Sequence, residues 1–444
     1  MDDGLGMPLA SLPCRNPVTR YTAPHRFDPY WTGIWDTHHS AVWVGRRDVE
    51  LTRHARLVRP VRSEIRFADD VARAMLVERP GLLRALGVTG MWRTISGQQI
   101  AAMTGEVFGK LSDDILFSAG LLARGRLLTG LPGLPLPPLY RTAWTSPLGE
   151  IENQLPYQQW LALTAGAPWR NGPQADRHNI LASELGLRCA EYGGWPCVLG
   201  ESMAQFNQLF GDDKVPAGRN WAGDLLLVRA DGLRVVVEVS ASAGVPFAEK
   251  ADRWAQFLAQ DKTKATMVVF VDARRPDRAH DRLGQVIHRS MKKSISRAAF
   301  KSMDRVTAGV DERMAIVRWD DWFPGPHHAA PEFLTFDVQR PTGPNDNRWE
   351  WASATDPFDV AGPKDPKTAQ AIIGNARLLY GLPHWLGDGP KPDVQHWLLR
   401  NSGFDTPPVA PHVRRGRSEL RRYRRERFGS NVERVDDQQQ RHDR

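Results

Sequence analysis

The sequence is poor in cysteine, in long apolar runs and in the short motifs that mark common enzyme classes. Its 444 residues contain three cysteines, Cys14, Cys189 and Cys197. Three thiols make no disulfide framework and fit a reducing compartment, and their spacing matches no zinc pattern. No apolar stretch reaches the ~20 residues a membrane helix needs. The start, Met1-Asp2-Asp3-Gly4, is acidic and has no basic segment leading into an apolar one, so no secretory signal is expected. These absences point to a soluble, cytoplasmic protein. There is no Walker A loop, Gly-x-Gly-x-x-Gly turn, His-Glu-x-x-His or Gly-x-Ser-x-Gly, so the chemistries those motifs carry are not expected. His38-His39 and His327-His328 are adjacent pairs whose side chains point apart on a strand, a poor arrangement for one metal. No internal repeat is visible.

What is present is unevenly distributed. The net charge of +8 comes from 59 Lys and Arg against 51 Asp and Glu. From Arg414 to Arg427 eight arginines face only Glu419 and Glu426. That concentration reads either as a phosphate-binding arm, with Arg414, Arg415, Arg417, Arg421 and Arg422 as contacts, or as a solvated tail. Residues 1–65 lack periodicity and read as an irregular arm able to pack on a later domain. Residues 66–165 carry helical patterning and then two short strands. Residues 166–324 alternate helix and strand, clearly so from about 173. Residues 325–410 are rich in Pro, Gly and Trp, with helical stretches near Pro366–Tyr380 and Pro392–Asn401. Residues 411–444 form a basic tail of disordered composition.

Within 66–165, Ser96 followed by Gln99 is a capping-box start. Ile100 and Met103 supply the buried stripe of a short helix, and Thr104-Gly105 ends it. A second helix is expected near Ser112, with Asp113 and Asp114 in its first turn, where carboxylates suit the helix dipole. Arg126–Leu128 and Leu139–Trp144 then pair as a β-ribbon. Helix, turn, helix and ribbon is the layout of a winged helix-turn-helix. Lys110, Arg124, Arg126 and Arg141 flank it as candidate phosphate contacts. The alternative is a structural or dimerising unit.

The most informative stretch runs from Asp224 to Trp254. Leu225–Val228 and Val235–Val237 are continuous apolar runs, expected of strands covered on both faces. Ala230-Asp231-Gly232 between them suits a three-residue hairpin loop with Gly232 in the left-handed region. That register pairs Arg229 with Leu233 and sets Asp224 across from Glu238. Two carboxylates so placed in an apolar sheet repel each other and lose hydration, so a cation must offset them. A divalent metal is one candidate. Lys250 is the other. It lies on the helix Pro246–Gln260, on the face that carries Phe247, Trp254 and Phe257. The plainer alternative has Asp224 and Glu238 at strand ends and Lys250 reaching solvent.

The surrounding order is helix Ala175–Tyr192, strand Trp195–Leu199 ending at Glu201, the hairpin, the Lys250 helix, strand Thr266–Val271, basic helix Arg282–Phe300 and strand Met314–Trp319. It resembles the core of the restriction-endonuclease-like superfamily, whose signature is an Asp and then Glu/Asp-x-Lys on the next strand. More narrowly, residues 66–324 resemble the replication-relaxation family of plasmid and integrated-element proteins. The resemblance rests on the winged-helix layout, Arg177-His178-Asn179, Gly200-Glu201-Ser202, Gly223-Asp224, Val237-Glu238-Val239-Ser240 and Lys250. Ala222-Gly223 stands where a proline is usual, and Ser240 holds the lysine position. Either Lys250 substitutes for that lysine or catalysis is lost. The expected fold is thus α/β: an all-α, winged-helix N-terminal part, then a mixed sheet flanked by helices.

The resemblance implies DNA as partner, alongside other replication or mobilisation proteins, and no membrane. In the active form Asp224 and Glu238 would hold Mg²⁺, Lys250 would stabilise developing charge, and Glu201 would position the metal or the water. In the inactive form the same fold is a DNA- or protein-binding platform. A third reading is an assembly protein that binds through its Trp-rich segments.

Overall fold

The computed structural model describes residues 6–32, 34–51, 64–129, 136–143, 151, 154–164, 175–204, 222–345, 348–354 and 365–391. It is mixed α/β, and among these residues no helix is long and apolar enough to cross a membrane. The second expected C-terminal helix, near Pro392–Asn401, and the Arg414–Arg427 segment lie outside the described residues.

The first unit is built on a four-stranded antiparallel sheet. Its strands are β1 (Thr37–Val44), β2 (Ile95–Ser96), β3 (Leu122–Thr129) and β4 (Leu139–Thr142), in the order β1-β3-β4-β2. Helices α1 (Asp69–Val77) and α2 (Pro80–Trp92) precede β2, and α3 (Gly97–Thr104) and α4 (Lys110–Ser118) follow it. The start of α3 follows from its sequence: the Ser96 hydroxyl accepts the Gln99 amide, and the Gln99 side chain accepts the Ser96 amide. Gly105, at φ +75°, stops it. The segment α2-β2-α3-α4-β3-β4 contains the expected helix pair, but the ribbon is shifted: Leu122–Gly125 pair with Leu139–Thr142, and Arg126 and Leu127, read as the ribbon strand, pair with β1 instead.

The second unit is a seven-stranded mixed sheet. Its strands are β5 (Cys197–Gly200), β6 (Leu225–Val228), β7 (Arg234–Ser240), β8 (Thr266–Asp272), β9 (Met314–Arg318), β10 (Val338–Asn345) and β11 (Arg348–Ala354), ordered β11-β10-β9-β8-β7-β6-β5. The inner trio β7-β8-β9 is parallel, and every other pairing is antiparallel. Strands β6 and β8 are buried along their whole length, as their continuous apolar runs, Leu225–Val228 and Met267–Val271, require. Helix α5 (Asp176–Tyr192) packs on β5 and β6, while α6 (Val245–Leu258) and α7 (Arg282–Ala299) lie against each other over β8 to β10. The sheet does not stop near residue 324. Strands β10 and β11, from the segment read as a Pro- and Trp-rich extension, complete it, with a register shift between Pro341 and Gly343.

The described part of residues 1–65 packs on later elements, as expected of a docked arm, and it also contributes a regular strand. Strand β1 pairs with β3 from Val44↔Arg124 outward. Tyr30 stacks on Trp319 with ring centroids 5.3 Å apart. Arg26 reaches both Glu184 (3.0 Å) and Glu191, and Asp28 accepts from Arg188 (2.8 Å), all with buried side chains. Removing one member of such a network leaves its partners charged and without water. Arg26→Ala should therefore cost about 3–5 kcal/mol, read as a drop in the chemical-denaturation midpoint of the full chain. A loss under about 1 kcal/mol, the range of an exposed pair, would show that the N-terminal segment is only lightly attached.

Candidate functional site

The hairpin between β6 and β7 forms as its sequence demands. Gly232 takes φ +116°, the Arg229 amide donates to Leu233, and the register runs from Val228↔Arg234 to Leu225↔Val237. The regular ladder ends there. Asp224 lies at a bend one residue beyond β6, not in a cross-strand pair; its amide donates to the Val237 carbonyl and its Oδ2 accepts the Val239 amide at 2.7 Å. The carboxylate thereby satisfies a backbone donor that a longer strand would have paired.

The other Asp224 oxygen, Oδ1, meets His178 Nε2 at 2.7 Å. Glu238, 2% exposed, accepts Lys250 Nζ at 2.6 Å on Oε2 and Trp254 Nε1 at 2.7 Å on Oε1. Lys250 and Trp254 are one helical turn apart on α6, so a single helix face delivers both donors. Glu201, just past β5, is paired with Arg93 at the end of α2. The geometry brings Asp224, Glu238, Lys250 and Glu201 into one electrostatic cluster. It adds His178, Trp254 and Arg93, to which the sequence reading gave no role at the site.

The electrostatics follow from burial. For Glu238, desolvation outweighs the attraction of Lys250, and its carboxyl is pushed up to about 7. Lys250, more exposed, gains more from the pair than it loses and is held protonated by Glu238 and then Asp224. Burial also opposes charge on Asp224, but His178 and Lys250 overcome it and hold the carboxyl well below its usual range. Burial works against a protonated His178, yet Asp224 prevails and raises it. Glu201 is raised by burial against the pull of Arg93.

The fit of a divalent metal can be judged from the donors. All four oxygens of Asp224 and Glu238 already accept an N–H from His178, Val239, Lys250 or Trp254. No group of three His, Cys, Asp or Glu side chains among the described residues is placed to hold a metal ion. As arranged, the two carboxylates are neutralised from within, and a metal would have to displace His178 and Lys250.

The expected phosphate contacts of the first unit fare differently from one another. Lys110 and Arg126 are exposed. Arg124 is not available: it is buried, bonds Asp113 (2.6 Å) and Asp114 (2.7 Å), and lies 4.0 Å over the Phe117 ring. The two acids read as partners of the helix dipole are instead the counter-ions of this arginine. Arg141 sits 4.2 Å over Trp43 and is half-buried, which lowers its affinity for a proton. Helix α4 is itself covered. Phe117 packs with Val44, Val42, Val49 and Ile65, Arg46 donates to the Ser118 carbonyl, and Arg66 pairs with Asp114 at 3.0 Å. Arg414, Arg415, Arg417, Arg421 and Arg422 lie outside the described residues.

Comparison of the chain with family models, with characterised proteins and with solved structures finds no match. The functional reading therefore rests on these residues and their chemistry.

The Lys250–Glu238 pair has a pH signature. Glu238 holds its proton more tightly folded than unfolded, so its contribution to stability falls as pH rises from about 4.5 to about 7. Without Lys250 its ionisation in the folded chain is harder still. Lys250→Met should be nearly neutral at pH 5, where Glu238 can stay protonated, and cost about 3–5 kcal/mol near pH 8.5, where a buried carboxylate stands without its ammonium. Denaturation midpoints at the two pH values check this; a pH-independent penalty would mean that the ion pair contributes only packing.

Proposed function

We propose that the chain is a DNA-binding protein of plasmid or mobile-element maintenance whose α/β unit, nuclease-like in its layout, serves as a binding platform. One observation carries the choice of platform over cutter: every carboxylate oxygen at the candidate centre is engaged by a donor of the chain itself. In that arrangement each carboxylate is bonded to its own basic side chain, and the two contacts tie together β6, β7, α5 and α6. The DNA reading draws on the order α2-β2-α3-α4-β3-β4, which is that of a winged helix, and on the basic C-terminal segment. The cover on α4 argues that this helix does not read a groove in the state described. Phosphate contacts then fall to exposed cations such as Lys110 and Arg126 and to the tail.

A second reading is Mg²⁺-dependent DNA cleavage. It is favoured by the clustering of Asp224, Glu238 and Lys250 at one end of a mixed sheet, in the order resembling an endonuclease core. Against it, all four carboxylate oxygens are already bonded within the chain.

Titration of the full chain with Mg²⁺ and Mn²⁺ separates the two. A platform keeps its melting temperature in either metal, and Glu238→Gln keeps duplex binding. A metal-dependent rise in melting temperature, together with nicking that Glu238→Gln abolishes, would establish the cutter instead. Independently, deleting residues beyond His412 should flatten the salt dependence of duplex binding, because eleven arginines leave with it; an unaltered slope would place the tail away from phosphate.

A further inference from the structure

Helix α7 has two unlike sides. Inward it presents His288, Met291, Ile295, Ala298 and Ala299, all buried. Outward, Arg282, Arg289, Lys293 and Arg297 are exposed. Their spacing of seven, four and four residues keeps them on one face of the helix. The helix contains no Asp or Glu. The acid before it, Asp281, is the N-cap and accepts the Gly284 amide at 2.6 Å. Asp252 on the neighbouring α6 is already bonded to Lys301 (3.1 Å) and Arg305 (2.8 Å). Among the described residues no carboxylate pairs with any of the four outward cations; Arg289 makes only a bond to the Gln285 carbonyl. A solvated helix face ordinarily mixes both signs, with i,i+4 pairs. This one carries a single sign from end to end.

We infer that the outward face of α7 is a docking strip for the phosphodiester backbone of duplex DNA. This rests on the DNA-binding reading above and assigns it a surface. Arg282 to Arg297 cover about 22 Å at the rise of an α-helix, a line of cations matched to a polymer whose charges recur every few ångström along each strand. The helix that carries the strip is anchored on the sheet. His288, on its inner side, meets Asp272 at 2.8 Å, and Asp272 is in register with Ser240, two residues past Glu238. An acidic protein fits less well. Only Leu283 (57% exposed) and Val286 (46%) are apolar on this face, near its N-terminal end. That falls short of the apolar centre within the roughly 800 Å² per partner of a stable protein interface.

The test uses the full chain and a variant carrying Arg289→Gln, Lys293→Gln and Arg297→Gln. All three side chains are exposed, so the melting temperature of the variant should match wild type. Binding of a mixed-sequence duplex is followed by fluorescence anisotropy from about 50 to 200 mM salt. The expected result is a slope of log K against log salt reduced by about 2 to 3, with at least tenfold weaker binding at low salt. Lys110→Gln with Arg126→Gln, in the other unit, serves as a second variant. If the wild type binds duplex and the α7 variant binds identically, the strip is overturned while the DNA-binding reading stands. If the wild type binds no duplex, that reading falls and takes the strip with it. If poly-glutamate binds the wild type as tightly as duplex does, and the α7 variant loses both, the face is an acidic-protein site and the inference is overturned.

Discussion

Helix α5 depends on a buried network of five charges, and both sheets depend on α5. Glu184 accepts from Arg26, Arg188 and Gln99, while Arg188 also reaches Asp28 and Arg26 also reaches Glu191. Two guanidiniums thus serve three carboxylates, so one negative charge is in excess. Burial pushes the Glu191 carboxyl up, and Arg26 offsets this only in part. A network of this kind adds little net stability over an apolar core of the same volume. What it supplies is a set of directional contacts that holds residues 26–28 against α5. The first turn of α5 then joins the two sheets. Asp176 holds the Ala41 amide, Trp43 Nε1 and the Thr94 hydroxyl of the first unit. His178, two residues on, holds Asp224 of the second. A shift of α5 along its axis would break both sets of contacts together.

How much of this could be read from the sequence depends on whether the signal was local. The Ser96–Gln99 capping box, the Gly232 loop and the unbroken apolar strands are decided by neighbours a few residues apart, and the structure has them. So is the face of α6 that carries Lys250. The N-terminal segment is not legible in that way. Arg26 and Glu184 are far apart in sequence, and nothing in the pattern of residues 1–65 distinguishes a buried arginine from a solvated one. Arg124 failed for the same reason. As a residue type it suits phosphate, but its place opposite Asp113, Asp114 and Phe117 is tertiary. Strands β10 and β11 were hidden differently. Pro341, Gly343 and Pro344 break the alternation that marks a strand, and they are tolerated because the strand is bulged and lies near the edge of the sheet.

The candidate centre shows the same division. The clustering of Asp224, Glu238 and Lys250 follows from loop register and helix periodicity. Its state of charge does not. His178 enters from a helix some forty residues earlier in the sequence, and Trp254 supplies the donor that completes Glu238. These two side chains engage one oxygen each of Asp224 and Glu238. Internal neutralisation and metal binding are competing solutions to one problem, the desolvation of two carboxylates at the end of an apolar sheet. A metal could replace His178 and Lys250 only if the energy gained exceeded that of two charge-assisted hydrogen bonds and the cost of leaving those cations alone.

The covered helix and the basic helix belong to one argument about where nucleic acid could approach. Uncovering α4 would require residues 42–49 and 65–66 to leave, breaking a hydrophobic cluster and the Arg66–Asp114 pair. It would also require Arg124 to abandon two carboxylates, and those acids would then face phosphate. Each step is unfavourable before any contact is gained. Among the described residues, approach along α7 requires no ion pair to break, because its four outward cations are bonded to no carboxylate. When one surface must first be dismantled and another is already complementary to a polyanion, a polyanion would bind first at the second. Any use of α4 would then follow docking rather than precede it, with the energy of the first contact available to displace the cover.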